Sequence, residues 1–107
     1  MNSLILDVIP VGRNNAIPGR KISSLVGISI KRLQAQIAVL RESGYPICAA
    51  DINKPKGYFI PATAQEAEEF CKETIKRAKK TFSTVRNVVS AIDKRFRLNL
   101  QQELNLG

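Results

Sequence analysis

A chain of 107 residues is long enough for one domain with a modest core, and 17 Lys and Arg against 9 Asp and Glu give a net charge of +8. It has no histidine, the commonest general base and metal ligand, and its two cysteines, Cys48 and Cys71, lack a metal-binding spacing. We therefore predict no enzyme activity, no metal and no cofactor, whereas the positive charge favours nucleic acid or an acidic partner.

The first predicted element is a short helix over the apolar residues 3–9, which Pro10, Gly12 and the Asn14-Asn15 pair end. Residues 16–18 predict a short extended segment, because the residue before a proline avoids the helical region.

Residues 19–44 predict two short helices joined by a tight turn. Gly27 tolerates the left-handed conformation that ends the first helix, Ser29 suits the N-cap of the second, and Gly44 ends it. The apolar spacing predicts that each helix buries one face. The predicted buried residues are Ile22, Leu25 and Val26, then Ile30, Leu33, Ile37 and Leu40.

Residues 45–61 predict a β-hairpin. Strand formers run from Tyr45 to Ile52 and return at residues 58–60. Between them Lys54-Pro55-Lys56-Gly57 has the composition of a type I turn, with two lysines at the tip. Residues 1–60 hold 8 basic and 3 acidic residues, so the basic excess is predicted to be steeper on this side of the chain.

One long helix is predicted from about residue 64 to about residue 97. Thr63 and Glu66 form a capping box at its start, and residues 81–84 are poor helix formers that allow a kink. An apolar heptad stripe follows the helix. Its members are Cys71, Ile75, Ala78, Phe82, Val85, Val89, Ile92 and Phe96.

At 1.5 Å per residue this helix spans about 50 Å, roughly twice the diameter of a globule of some 60 residues. The stripe therefore either folds back on its own domain or meets a second chain. We predict a homodimer, and the charges beside the stripe leave parallel pairing, antiparallel pairing and a wider helical bundle open. The predicted dimerisation residues are Ile75, Phe82, Val85, Val89, Ile92 and Phe96.

A short helix, a helix pair and a hairpin follow the order of a winged helix. The sequence resembles the biotin-ligase-repressor type of winged helix–turn–helix, as in small phage and prophage regulators. The matching residues are Gly27-Ile28-Ser29, Leu33, Ile37, Leu40, Gly44 and Gly57-Tyr58-Phe59-Ile60-Pro61. The resemblance implies a mainly α fold with a small β-hairpin (α+β), with a DNA-binding domain at 1–61 and a long C-terminal helix at 62–107.

The resemblance also implies sequence-specific binding of double-stranded DNA and transcriptional control. The recognition helix, about residues 29–43, would enter the major groove, and the wing, residues 53–57, would contact the backbone or minor groove. Ile30 departs from the pattern, where a polar residue is usual. It turns inward or contacts a thymine methyl group. The implied DNA contacts are Ser29, Lys31, Arg32, Gln34 and Ala35 in the groove, Lys54 and Lys56 on the wing, and Arg20 and Lys21 on phosphate.

Two alternatives stay open. The first is a protein-interaction module such as an antirepressor or adaptor. The second is a DNA-binding excisionase or replication accessory factor. No apolar run approaches the roughly 18 residues of a membrane span, so no membrane partner is expected. The expected location is the bacterial cytoplasm or nucleoid.

Overall fold

The computed structural model describes residues 2–51 and 53–105, with side chains described from Leu4 onward. Within this part the chain is mainly helical, with a two-stranded antiparallel hairpin and a long C-terminal helix. This confirms the predicted mainly helical class with a small hairpin. The chain divides into two compact units, unit 1 at Met1–Cys71 and unit 2 at Lys72–Gly107.

Three helices build the first half of unit 1: α1 (Asn2–Val8), α2 (Gly19–Val26) and α3 (Ile30–Glu42). A short 3-10 helix, Arg13–Asn15, lies between α1 and α2. Apolar side chains from all three helices and from the segment after α3 meet in one core. Its buried members are Ile5, Ile9, Ile22, Leu33, Ile37, Leu40 and Ile47.

The turn between α2 and α3 forms as its residues predict. Gly27 adopts the left-handed conformation, with φ 81° and ψ 34°. The Ser29 hydroxyl accepts the backbone N–H of Arg32 at 3.1 Å, which satisfies one of the unpaired donors at the start of α3.

Two side chains predicted in the core are exposed instead. Leu25 is 61% exposed because the core side of α2 lies at Ile22 and Val26, roughly 60–100° around the helix from it. Ile30 is 47% exposed, since it is the first residue of α3 and lies at the edge of the core.

Helix α3 ends in a Schellman motif, as Gly44 predicts. Gly44 has φ 101°, and its N–H donates to the Arg41 carbonyl at 3.0 Å. The Tyr45 N–H donates to the Leu40 carbonyl at 3.1 Å. These two bonds satisfy carbonyls that would otherwise be unpaired at the helix end.

The hairpin consists of β1 (Cys48–Ala50) and β2 (Gly57–Phe59), with Cys48 opposite Phe59 and Ala50 opposite Gly57. The first strand is shorter than the predicted 45–52, because Tyr45 takes part in the end of α3; Ile52 lies outside the described residues. Strand β1 ends at Ala50 and β2 begins at Gly57, so more residues join the strands than the predicted type I turn would need. The extended segment predicted at 16–18 is confirmed, since Ile17 pairs with Tyr58 on the other edge of β2.

Helix α4 runs unbroken from Ala64 to Phe96, so residues 81–84 do not split it. The Thr63 hydroxyl accepts the Glu66 N–H at 3.2 Å, which confirms Thr63 as the cap. The boundary between the compact units lies at residues 71 and 72, later than the sequence boundary at 61 and 62. The first turns of α4 belong to unit 1 because Phe70 packs against the cluster of Ala16, Cys48 and Phe59.

Unit 2 contains the rest of α4 and a short helix α5 (Leu100–Glu103). The Asp93 carboxylate accepts the N–H groups of Leu100 at 2.8 Å and Gln101 at 3.0 Å, which attaches α5 to the last turns of α4. Val89, one turn before Asp93, is 6% exposed. None of the helices in the described part is long and apolar enough to span a membrane.

Candidate nucleic-acid interface

The outer face of α3 is polar and accessible. Leu33, Ile37 and Leu40 fix the other face of the helix in the core. Lys31, Gln34 and Ala35 lie at spacings i, i+3 and i+4, so they share the side turned away from that core. The groove-facing residues predicted on this helix are all exposed, namely Ser29, Lys31, Arg32, Gln34 and Ala35.

Arg32 and Ser29 flank this surface and do not lie at its centre. Arg32 follows Lys31 by one residue and therefore points about 100° further around the helix. The Ser29 oxygen already accepts the Arg32 N–H, which leaves its hydroxyl proton available to donate. The central positions of the surface are consequently Lys31, Gln34 and Ala35.

The start of α2 lies where β2 and α3 meet. A Cβ atom at Gly19 would lie 3.0 Å from Cε2 of Tyr58 and 3.6 Å from Cδ2 of Leu33. The helix start therefore packs closely against Tyr58 of β2 and Leu33 of α3. Arg20 and Lys21, predicted as phosphate contacts, follow directly and are exposed.

Arg13 holds the loop of the hairpin. Its guanidinium group donates to the Pro55 carbonyl at 2.7 Å and to the Asn53 carbonyl at 2.8 Å. The same group lies 5.9 Å from the centre of the Phe59 ring. The two lysines predicted at the tip, Lys54 and Lys56, are exposed on a loop whose backbone is tied at two points.

The backbone of Arg13 is tied as well. Its N–H donates to Oε1 of Glu66 at 3.0 Å, and the same oxygen accepts the Ala62 N–H at 3.0 Å. Glu66 thus links the segment before α2 to the start of α4. Its bond to the Ala62 N–H lies one residue before the Thr63 N–H that the predicted capping box would use. Sequence reasoning missed Arg13, because its partners lie 40 to 53 residues away and no local pattern signals them.

Arg41 is a second structural arginine that the sequence did not single out. Its Nε donates to the Ile47 carbonyl at 2.9 Å, and its guanidinium group lies 5.8 Å from the Phe70 ring centre. It therefore links the end of α3 to the segment before β1 and to α4, in a cation–π arrangement.

The net charge differs between the two compact units, whose boundary lies at residues 71 and 72. Unit 1 holds 8 basic and 6 acidic residues, 8 − 6 = +2, whereas unit 2 holds 9 and 3, 9 − 3 = +6. The excess counted over residues 1–60, 8 − 3 = +5, falls to +2 over unit 1, because unit 1 also includes Glu66, Glu68 and Glu69. Most of the positive charge lies on unit 2.

The predicted dimerisation residues differ in how far their side chains are exposed to solvent. Phe82 is 49% exposed and Val85 is 43% exposed, and Ile75 and Phe96 are more exposed still. Ile92 is half-buried, and Val89 is buried. The open part of the stripe thus has two pieces: Ile75, Phe82 and Val85, before the turns that α5 joins, and Phe96 at the end of α4.

Both cysteines are free. Cys48 lies in the cluster with Ala16 and Phe59, and burial raises the pKa of its thiol, which keeps the group protonated. Cys71 is exposed.

Comparison with protein-family models, with curated proteins and with solved structures gave no match. Support for a function therefore comes from the geometry of unit 1 and the charge of unit 2.

Proposed function

We propose that the chain is a sequence-specific double-stranded DNA-binding protein of the winged helix–turn–helix type, and that it acts as a small transcriptional regulator of phage or prophage kind in the bacterial cytoplasm. The observation that carries this proposal is the outer face of α3. Lys31, Gln34 and Ala35 are exposed together on a helix whose other side is fixed in the core.

The residues on this face suit direct readout of bases. A glutamine can bind adenine N6 and N7, and a lysine can bind guanine O6 and N7. Ala35 is small enough to let the helix approach the bases and offers a methyl group to thymine. Exposed Ile30, at the start of the helix, fits the second of its two predicted roles, contact with a thymine methyl group.

The elements around α3 support the same function. The order of α1, α2, α3, β1 and β2, with Ile17 pairing beside β2, is the order of a winged helix. Arg13 restrains the loop that carries Lys54 and Lys56, and an ordered loop costs less entropy to bind than a mobile one. Arg20 and Lys21, beside Gly19, would contact phosphate.

Assembly through unit 2 belongs to the proposal. Two copies would pair through the open stripe on α4, which holds Ile75, Phe82 and Val85. A dimer places two recognition helices on one duplex, so the target would be a pair of half-sites.

The test is selection of bound fragments from a random pool of duplex DNA with the purified chain. A recurring motif of two half-sites is expected, with affinity that falls steeply as salt rises. Replacing Lys54 and Lys56 together by alanine should weaken every duplex and lower the magnitude of the salt slope by about one unit per lost contact.

The competing function, a protein-interaction module, gives a different result. Such a chain would enrich no motif, and its binding to a partner protein through apolar surface would depend little on salt. A pool without enrichment would therefore refute sequence-specific binding.

A further inference from the structure

One side of α4 in unit 2 carries an acid-free row of lysines, here called the lysine face. It consists of Lys72, Lys76, Lys79, Lys80 and Lys94, with Ser83, Asn87 and Ser90 between them. At about 100° per residue these positions fall within an arc of about 100°. All the lysines in this arc are exposed.

The ammonium groups of the lysine face repel one another. Lys72 and Lys76, and Lys76 and Lys80, are like charges at i, i+4, which destabilise a helix. Glu73 and Asp93 lie at the two borders of the arc, and unit 2 retains 9 − 3 = +6 of the total charge of +8. A polyanion would relieve this repulsion.

The covered part of α4 lies elsewhere on the helix. Val89 is buried, and it lies nine residues from Lys80, about 180° around the helix. Asp93 attaches α5 near Val89. The short helix therefore leaves the centre of the lysine face uncovered.

We propose that the lysine face is a second contact surface, one that binds the phosphate backbone of double-stranded nucleic acid without regard to sequence. This inference rests on the proposed function of unit 1 and adds a separate site to it. Lysine suits such a role because its ammonium group is a point charge with three donors on a flexible stem. Serine and asparagine between the lysines add donors to phosphate oxygens.

A membrane surface fits the same charge less well. Helices that lie in a bilayer interface carry large apolar side chains along one whole side, typically Trp, Phe and Leu. Residues 72–96 contain no Trp and no Leu, their two phenylalanines, Phe82 and Phe96, are well separated, and the polar Thr74 and Thr81 border the apolar side. Val89, on that side, is already buried within the chain.

The experiment measures binding of the full chain to a 20-base-pair duplex of random sequence by fluorescence anisotropy, between 50 and 200 mM NaCl. The test variant is Lys76→Gln with Lys80→Gln, which keeps good helix formers. The control is Arg77→Gln with Arg95→Gln, which removes the same charge from α4 at positions about 110° around the helix from the centre of the lysine face. Circular dichroism checks that both variants keep the parent's helix content.

The lysine variant should lower the magnitude of the log–log salt slope by about 1.8, which is two contacts at about 0.9 each, and weaken binding at least tenfold at 0.1 M salt. The control should stay close to the parent. Two results would overturn the lysine face as a site: an equal loss of affinity in both variants, or a salt slope in the lysine variant that equals that of the parent. Either result would leave the proposed DNA binding by unit 1 intact.

Vesicles of phosphatidylcholine and phosphatidylserine form the second arm. Weaker vesicle binding by the lysine variant, together with unchanged duplex binding, would assign the surface to lipid and overturn the inference. A parent chain that binds no duplex at all would overturn both this inference and the proposed function.

Discussion

Unit 1 contains ten of the eleven buried apolar side chains in the described part of the chain, and unit 2 contains the remaining one, Val89. Unit 2, by contrast, has the larger net charge, +6 against +2. The first unit therefore has a core of its own, whereas most of the second is a helix with open polar and apolar sides.

The difference teaches how each unit is stabilised. Three helices and a hairpin fix unit 1 through side chains that are far apart in the sequence. The helix of unit 2 depends on local chemistry: good helix formers, one buried valine and the Asp93 attachment of α5. Because packing of an amphipathic side supplies most of the stability of helices in proteins, a partner that covers the open apolar side would stabilise unit 2.

The comparison predicts the largest effect in the core of unit 1. Leu33→Ala should lower the free energy of unfolding by about 2–5 kcal/mol, because it leaves a cavity at a side chain that is 0% exposed. Val85→Ala on the open side of α4 should cost less than about 1 kcal/mol at protein concentrations where the chain is monomeric. Urea denaturation measures both. Equal losses would mean that unit 2 has a packed core after all.

The second prediction concerns the close approach inside unit 1. A Cβ atom at Gly57 would lie 1.8 Å from the Ile17 carbonyl oxygen, and Gly57 has φ 131°. Gly57→Ala should therefore cost about 3 kcal/mol and separate β2 from Ile17. Gly27→Ala is the control, because its left-handed backbone meets no atom within 4 Å, and it should cost about 1 kcal/mol. Thermal unfolding that ranks the two variants the other way would contradict this packing.

The third prediction concerns how the open stripe of unit 2 is covered. If two copies pair through it, Val85→Asp places unpaired carboxylates in an apolar seam, at a cost of several kcal/mol to the dimer. Sedimentation should then give a monomeric variant with a folded unit 1. Asn87→Asp adds the same charge on the opposite side of the helix and should leave the dimer intact. A parent that sediments as a monomer at tens of micromolar would exclude the dimer outright.

The fourth prediction tests base readout by the outer face of α3 in unit 1. Gln34→Ala should weaken the best DNA site by about 1–3 kcal/mol and relax the preference at one base pair. Gln65→Ala, an exposed glutamine on α4, serves as the control and should change neither property. Competition binding on a set of single-base variants measures the preference. A uniform loss on all sequences would show that Gln34 does not read bases.

The smallest expected effect lies at the attachment of α5. Asp93→Ala removes the acceptor for the N–H groups of Leu100 and Gln101, so both amides should exchange hydrogen faster, by a factor that corresponds to about 1 kcal/mol. The core amides of unit 1 should not change. Asp93→Asn retains one carbonyl oxygen and should give an intermediate rate. Unaltered exchange in the alanine variant would mean that the attachment does not depend on Asp93.

The local signals in the sequence predicted most of the helix ends. Gly27, Ser29, Gly44 and Thr63 act through atoms within a few residues of themselves, so their chemistry is readable without the fold. The extended segment at 16–18 and the long helix were predictable for the same reason. The buried sides of α2 and α3 were predicted only in part, since Leu25 and Ile30 fit the apolar spacing but lie outside the core.

The sequence by itself thus determined the order of the elements, where the helices of unit 1 stop, and which side of α3 is polar. Only the tertiary structure decided that Arg13 holds the hairpin loop, that Gly57 lies against Ile17, and that the first turns of α4 belong to unit 1. Because those turns contain Glu66, Glu68 and Glu69, unit 1 has a net charge of only +2 and unit 2 has +6. The reason is distance along the chain. A helix cap is set by neighbours within one turn, whereas Arg13 and Gly57 contact residues about 40 positions away and Phe70 packs on side chains more than ten positions away, which only packing brings together.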